Sequence, residues 1–147
     1  MAIRLGKDAK LYRNSGTYSS PAWNLVSNVR DLSLNLETGE ADVTTRGNNG
    51  WRATVATLKD ASVEFEMVWD TEDLNFIAIR NAFLSNQPLE LLVLDGIVIS
   101  FTNQGLRATC MITGFSRNEP LEEAITVNVS AKPTYAGNPP TWYNVDP

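Results

Sequence analysis

The chain has 147 residues, 43% hydrophobic and 20% charged, which is the size and makeup of one folded domain with its own core and excludes a disordered segment. Lysine and arginine number 12 against 17 acidic residues, and the formal charge of −5 argues against a surface that binds duplex DNA by neutralising phosphates. Histidine is absent, which removes the usual general base near neutral pH, the commonest metal ligand and every Ser-His or Cys-His nucleophile pair.

What chemistry remains is thin. Glu64 with Glu66, and Glu122 with Glu123, could in principle act as carboxylate pairs, but adjacent surface acids are ordinarily solvated. No glycine run precedes a lysine between a strand and a helix start, and Glu40, Asp42, Asn48 and Asn49 are too scattered for a calcium loop. Zinc would need several cysteines or histidines, and the single Cys110 lies in the apolar pattern LRATCMITGF as a small buried thiol. The expectation is therefore no catalytic residue, no metal, no cofactor and no enzyme. The start, MAIRLGKDAKLYRNSG, lacks the apolar stretch of a signal peptide, and no apolar run approaches the ~20 residues that span a bilayer, so the expected setting is the cytosol or a particle, without a membrane partner.

In chain order, a short strand is predicted over Lys10 to Arg13, followed by a polar loop that leads to Trp23. From Val29 to Glu37, Leu32, Leu34 and Leu36 alternate with Ser33, Asn35 and Glu37, the mark of a strand with one face on a core and one polar face. Residues 38–51, with three glycines and two asparagines, read as a flexible hairpin excursion that leaves the sheet. After Trp51 the pattern is extended again, with Lys59-Asp60 as a possible turn or bulge. Val63, Phe65, Met67 and Trp69 then alternate with Glu64 and Glu66.

Asp70 to Asp73 and the following LNFIAIRNAFLSN predict one helix, with an acidic or threonine cap at its start and Pro88 beyond its end. Two stripes, one through Leu74, Ile77, Ala78, Asn81 and Leu84 or Ala82 and one through Phe76, Ile79 and Phe83, predict burial against more than one surface. ELLVLDGIVISF reads as two strands joined at Asp95-Gly96. A second pair follows, Leu106 to Thr113 and Ile125 to Lys132, joined by a polar loop. Residues 133–147 carry four of the seven prolines and read as an extended tail anchored by Trp142 and Tyr143, folded back on its own domain or reaching a neighbour. The whole is a single α+β domain, mainly β: an antiparallel sandwich or flattened barrel with one flanking helix.

This order of pieces resembles that of phage tail tube proteins, the major tail proteins of long-tailed phages, over nearly the whole chain. NVRDLSLNLE, TGEADVTTRGNNGW, ASVEFEMVWD, TEDLNFIAIRNAFLSN, LELLVLDG and the closing LRATCMITGFSRNEPLEEAITVNVSAKPT carry the resemblance. It implies a fold related to the tube protein of type VI secretion systems, and a structural subunit of hexameric rings that stack into a hollow tube. The implied partners are further copies of the chain and other tail proteins, with DNA passing through without specific binding. The implied location is the virion tail, after synthesis in the host cytoplasm. By the same analogy the excursion, with Glu40, Asp42, Thr44, Arg46, Asn48 and Trp51, reaches the next ring, while Asn35, Glu37, Glu64 and Glu66 line the bore. Two other readings are a tail terminator, which would form one ring and stop, and a carbohydrate-binding sandwich in which Trp51, Trp69, Trp142 or Tyr143 stack on sugars.

Overall fold

Alternating sequence becomes antiparallel register in a computed structural model that describes residues 3–100, 102–135 and 137–145. The strands are β1 (Lys10–Asn14), β2 (Trp23–Leu25), β3 (Val29–Asp42), β4 (Thr54–Val68), β5 (Leu89–Leu94), β6 (Gln104–Asn118), β7 (Thr126–Pro133) and β8 (Thr141–Asn144), with one helix, α1 (Leu74–Ser85). They form one sheet in the order β2-β1-β5-β6-β7-β4-β3, and β8 also pairs with β6.

The 15-residue β6 organises this sheet. Cys110 is paired with Leu89 of β5 and with Pro133 of β7, so those strands lie on opposite edges of β6. Because β8 takes Gln104 to Arg107 while β5 takes Gly105 to Cys110, β7 and β8 follow one another along the edge away from β5. The main core gathers Leu11, Phe65, Met67, Leu91, Cys110, Val127 and Val129 from both halves of the sheet, so the sheet curls round them as a flattened barrel. The barrel is open where β1 and β2 face β3 across a cleft of about 540 Å³ lined by Leu11, Leu25, Val26, Val29 and Leu32.

Helix α1 closes one flank. The Asp73 carboxylate accepts from the backbone N–H groups of Asn75 and Phe76 at 2.7 and 3.3 Å, which satisfies two donors that a helix start leaves orphaned. Asn86 ends the helix in the left-handed conformation, φ 55°, two residues before Pro88. One stripe, Phe76, Ile79 and Ala82, is buried. Phe76 meets Trp69 edge-on at 4.8 Å, and Phe83 stacks on Phe115 at 5.8 Å. The stripe that begins at Leu74 is covered only in part: Ile77 packs half-buried against the core and Ala82 is buried, but Leu74 is 75% exposed and Leu84 is exposed too.

Three other expectations are corrected. The chain does not leave the sheet at residue 38, since Thr38 pairs with Lys59 and the ladder continues to Asp42 opposite Thr54. Lys59 and Asp60 are regular ladder residues, and the irregularity lies beside them, where Gly39 faces the extra residue of β4. A Cβ on Gly39 would sit 2.6 Å from Thr57 Oγ1. The Asp95-Gly96 hairpin does not form: Leu89–Leu94 is a strand, but Ile97 to Ser100 is not, and β5 pairs with β1 and β6 instead. Phe101, the last residue of that expected hairpin, lies outside the described residues. Asn103 organises the connection instead, donating to the Ile97 carbonyl at 2.9 Å.

The tail likewise contains regular structure, because β8 pairs Trp142 with Leu106 and Tyr143 with Gly105. It folds back on its own domain as far as Val145; Ala136, Asp146 and Pro147 lie outside the described residues. Gly105 is obligatory here, since a Cβ on it would fall 1.6 Å from the Val93 carbonyl oxygen. With the tail in place β5 is buried on both faces from Leu91 to Leu94, which suits that unbroken apolar run: Leu91 and Val93 enter the main core, while Leu92 and Leu94 join Tyr12 and Val145 in a second cluster.

Candidate assembly surfaces

Register places the four residues expected on a lumen face together. Asn35 is opposite Ser62, Glu37 opposite Asp60, and Ser33 opposite Glu64; Glu64 and Glu66 in turn face Ser130 and Asn128 of β7. Alternation puts all of these on the side away from Val63, Phe65, Met67, Val127 and Val129, which are buried. A bulge at Thr113 shifts the parity of β6, so Phe115 rather than Gly114 packs on the core. Ser116 is thereby set opposite Asn128 on the polar side. One sheet face is thus a hydrophilic surface across four strands. Glu66 lies 3.9 Å from Arg30. Sequence reasoning omitted Asp60, Ser62, Asn128, Ser130 and Lys132 from this face. All but Asp60, which reads as a turn or bulge, were legible as the polar half of an alternating strand, but which strands lie side by side was not.

The residues expected to reach another ring occupy the β3–β4 hairpin. Beyond the Ala61–Leu36 pair, β7 has ended and the hairpin stands as two strands alone. Every residue from Asn35 to Asp60 is exposed except the half-buried Asn48 and Ala53. Glu40 and Asp42 lie within the ladder, opposite Ala56 and Thr54. Thr44, Arg46, Asn48 and Trp51 lie in the tip, which contains a single 3-10 turn over Arg46–Asn48. Asp42 and Thr44 brace the tip. The Asp42 carboxylate accepts from the Thr44 hydroxyl and backbone N–H at 2.5 and 2.8 Å, and these bonds hold its carboxyl below the usual carboxylate range. Ala53 donates to the Thr44 hydroxyl at 2.9 Å, tying the returning strand to the turn. Sequence reasoning missed the hairpin's apolar load: besides Trp51, 77% exposed, it presents Leu36, Val43, Val55 and Leu58, the last 85% exposed.

The aromatic residues of the carbohydrate reading do not converge. Trp69 is packed on Phe76, Tyr143 meets Trp23 edge-on at 6.1 Å, Trp142 Nε1 donates to Gln104 at 2.8 Å, and Trp51 is at the hairpin tip. The tail anchors differ in depth: Tyr143 packs against the second cluster, while Trp142 remains half exposed beside Leu36, Pro133 and Pro140. Among the described residues no three metal-ligating side chains cluster, and no helix is long and apolar enough to cross a membrane.

The most buried ion pair is structural. Arg107 donates to Glu90 and, at 2.6 Å, to the Tyr18 carbonyl, and its guanidinium lies 3.9 Å from the Tyr18 ring centroid and 5.1 Å from that of Trp23. Asn14 donates to the same Glu90 and accepts from Gly16 and Ala22, so the loop between β1 and β2 is held over the second cluster.

The fold is similar to that of a chain in the tail of an empty GTA particle determined with C6 symmetry: TM-score 0.72 at 18% identity, covering 98% of this chain and 100% of that one. It is similar to the SPP1 tail tube protein, with TM-score 0.67 at 14% identity over 88% of this chain and 75% of that one. A chain of the six-fold symmetrised baseplate of the anti-feeding prophage shares it at TM-score 0.56 and 10% identity, over 93% and 91% of the two chains. No curated protein matches the sequence. Residues 5–135 match the family described as phage tail tube protein. With nearly all of its structured length inside that match, the chain belongs to the phage tail tube protein family and is a structural subunit of a virion tail.

Proposed function

We propose that six copies of this chain close into a ring and that the rings stack into a hollow tube through which DNA passes unbound. The observation that carries the reading is β3, a 14-residue edge strand whose outer side pairs with no strand among the described residues. Long open edges invite uncontrolled pairing, and closure round a symmetry axis removes them. The C6 symmetry of the GTA tail with the same fold supports six as the number.

In this arrangement Asn35, Glu37, Glu64 and Glu66 face the bore, where carboxylates repel phosphate and oppose retention of the genome. The hairpin, with Glu40, Asp42, Thr44, Arg46, Asn48 and Trp51, reaches the adjoining ring. A free two-stranded hairpin is marginal in water, and burying its apolar residues against a neighbour stabilises it. The chain is synthesised in the host cytoplasm, meets other tail proteins at the tube ends, and has no catalytic role. The fold shared with the anti-feeding prophage baseplate chain supports a wider kinship that includes the tube protein of type VI secretion systems. Negative-stain electron microscopy of concentrated protein tests the reading. Six-fold rings and tubes are expected, and a chain that stays monomeric at every concentration, even with tube ends added as seeds, overturns it.

A further inference from the structure

The hairpin tip and the opposite end of the sheet differ in charge. From Val43 to Ala53 the tip carries Arg46 and Arg52 and no carboxylate, with Asp42 at its base 3.9 Å from Arg52. From there β4 runs 15 residues, about 50 Å of extended chain, to the far end. Two segments meet there, because Val68 pairs with Thr126 and the Trp69 N–H donates to the Ile125 carbonyl at 2.8 Å. Residues 69–73 and 119–125 together hold six carboxylates, with Arg117 beside them as a cation, so this end is acidic.

Three of the six are engaged locally. Asp73 caps α1, Asp70 accepts from the Glu72 backbone, and Glu119 pairs with Arg117. Glu72, Glu122 and Glu123 form no ion pair among the described residues, and beside them Leu121 is 99% exposed and Leu74 also projects into solvent.

We propose that this acidic, leucine-bearing end is the seat for the arginine-and-tryptophan hairpin tip of a second copy one ring along. The inference rests on the stacked-ring reading and deepens it by naming the receiving surface. A patch at one end that fits a different patch at the other makes a heterologous contact, which propagates rather than closes. The charges also set polarity: tip against tip would oppose arginines, and acidic end against acidic end would oppose carboxylates. Trp51 against Leu74 and Leu121 supplies the apolar centre of the contact, which the charges surround.

Charge reversal in full-length protein is the test, using Arg46→Glu with Arg52→Glu, Glu122→Arg with Glu123→Arg, and all four together. The altered residues are exposed, and circular dichroism checks that each variant folds. Each pair alone is expected to leave rings but shorten tubes about tenfold or more, and the fourfold variant to recover length, because close charge pairs govern register and partner choice. Tubes unchanged by either reversal, or no recovery in the fourfold variant, overturn the inference while leaving the ring reading standing; wild-type protein that forms no rings overturns both. As a second measurement, Thr45→Cys combined with Ala124→Cys, exposed positions beside the contact that leave Trp51, Leu74 and Leu121 in place, is treated with a short bismaleimide. Ladders of linked subunits are expected from tubes and not from single rings, Cys110 being buried and silent. Tubes that give no ladder overturn the assignment.

Discussion

At the scale of single residues, the side chains that commit this molecule to one structure are those that lose solvent with only one way to be satisfied. Arg107 and Glu90 are each 11% exposed in side chain, and neither has a second partner able to replace the other. Arg107→Ala leaves the Glu90 carboxylate buried with only the Asn14 amide, and a loss of about 3–5 kcal/mol is expected in urea unfolding. Cys110 shows burial acting on a neutral group. With no solvent around the thiol, its pKa is pushed up to about 12, so the thiolate that reacts with thiol reagents is not populated at neutral pH. Native protein should not titrate with a thiol reagent at pH 8, and one thiol per chain should appear only on unfolding.

At the scale of elements, α1 and the hairpin are opposite cases. The helix takes its stability from one cap and one buried stripe, and Asp73→Ala removes the cap, a loss of about 1 kcal/mol measurable as a lowered Tm. Its start was legible because capping is local chemistry: Asp73 precedes the first apolar residue by one position. Its packing was not, because a stripe such as Leu74 and Leu84 reads as apolar whether or not anything covers it. The hairpin draws little from its own chain, with exposed residues on both faces. Leu58→Ser is therefore expected to change the unfolding free energy of the isolated subunit by less than about 0.5 kcal/mol, whereas tube formation should suffer.

At the scale of the whole molecule, the sheet divides its labour between faces. One face and its curl build the core; the other gathers Glu37, Asp60, Glu64 and Glu66 with little compensating charge beyond Arg30 and Lys132. Glu64→Lys with Glu66→Lys reverses the sign at the centre of this surface without touching a buried residue. Tubes of this variant should still assemble but retain nucleic acid, read as absorbance at 260 nm that co-sediments with tubes and is released by salt. If wild-type and variant tubes bind DNA alike, this face is not the bore.

The residues alone determined the mainly β class, the parity of β3, β4 and β7, the helix and the kind of residue that caps it, and the absence of a histidine-based site; that Asp73 is the cap was decided by the structure. The features read from the residues all rest on periodicity of two or 3.6 or on composition, which are properties of adjacent residues. Only the tertiary structure decided that β6 serves β5, β7 and β8, that Thr38 to Asp42 stay in the ladder despite their glycine, and that the proline-rich tail contains a strand. It also decided that Ile97 and Ile99 do not form one. The reason is that a strand is completed by a partner far away in sequence: Gly39 is tolerated because Thr57 and Leu58 of the facing strand absorb the bulge, and Trp142 is extended because β7 ends and leaves the edge of β6 from Gln104 to Arg107 for it to occupy.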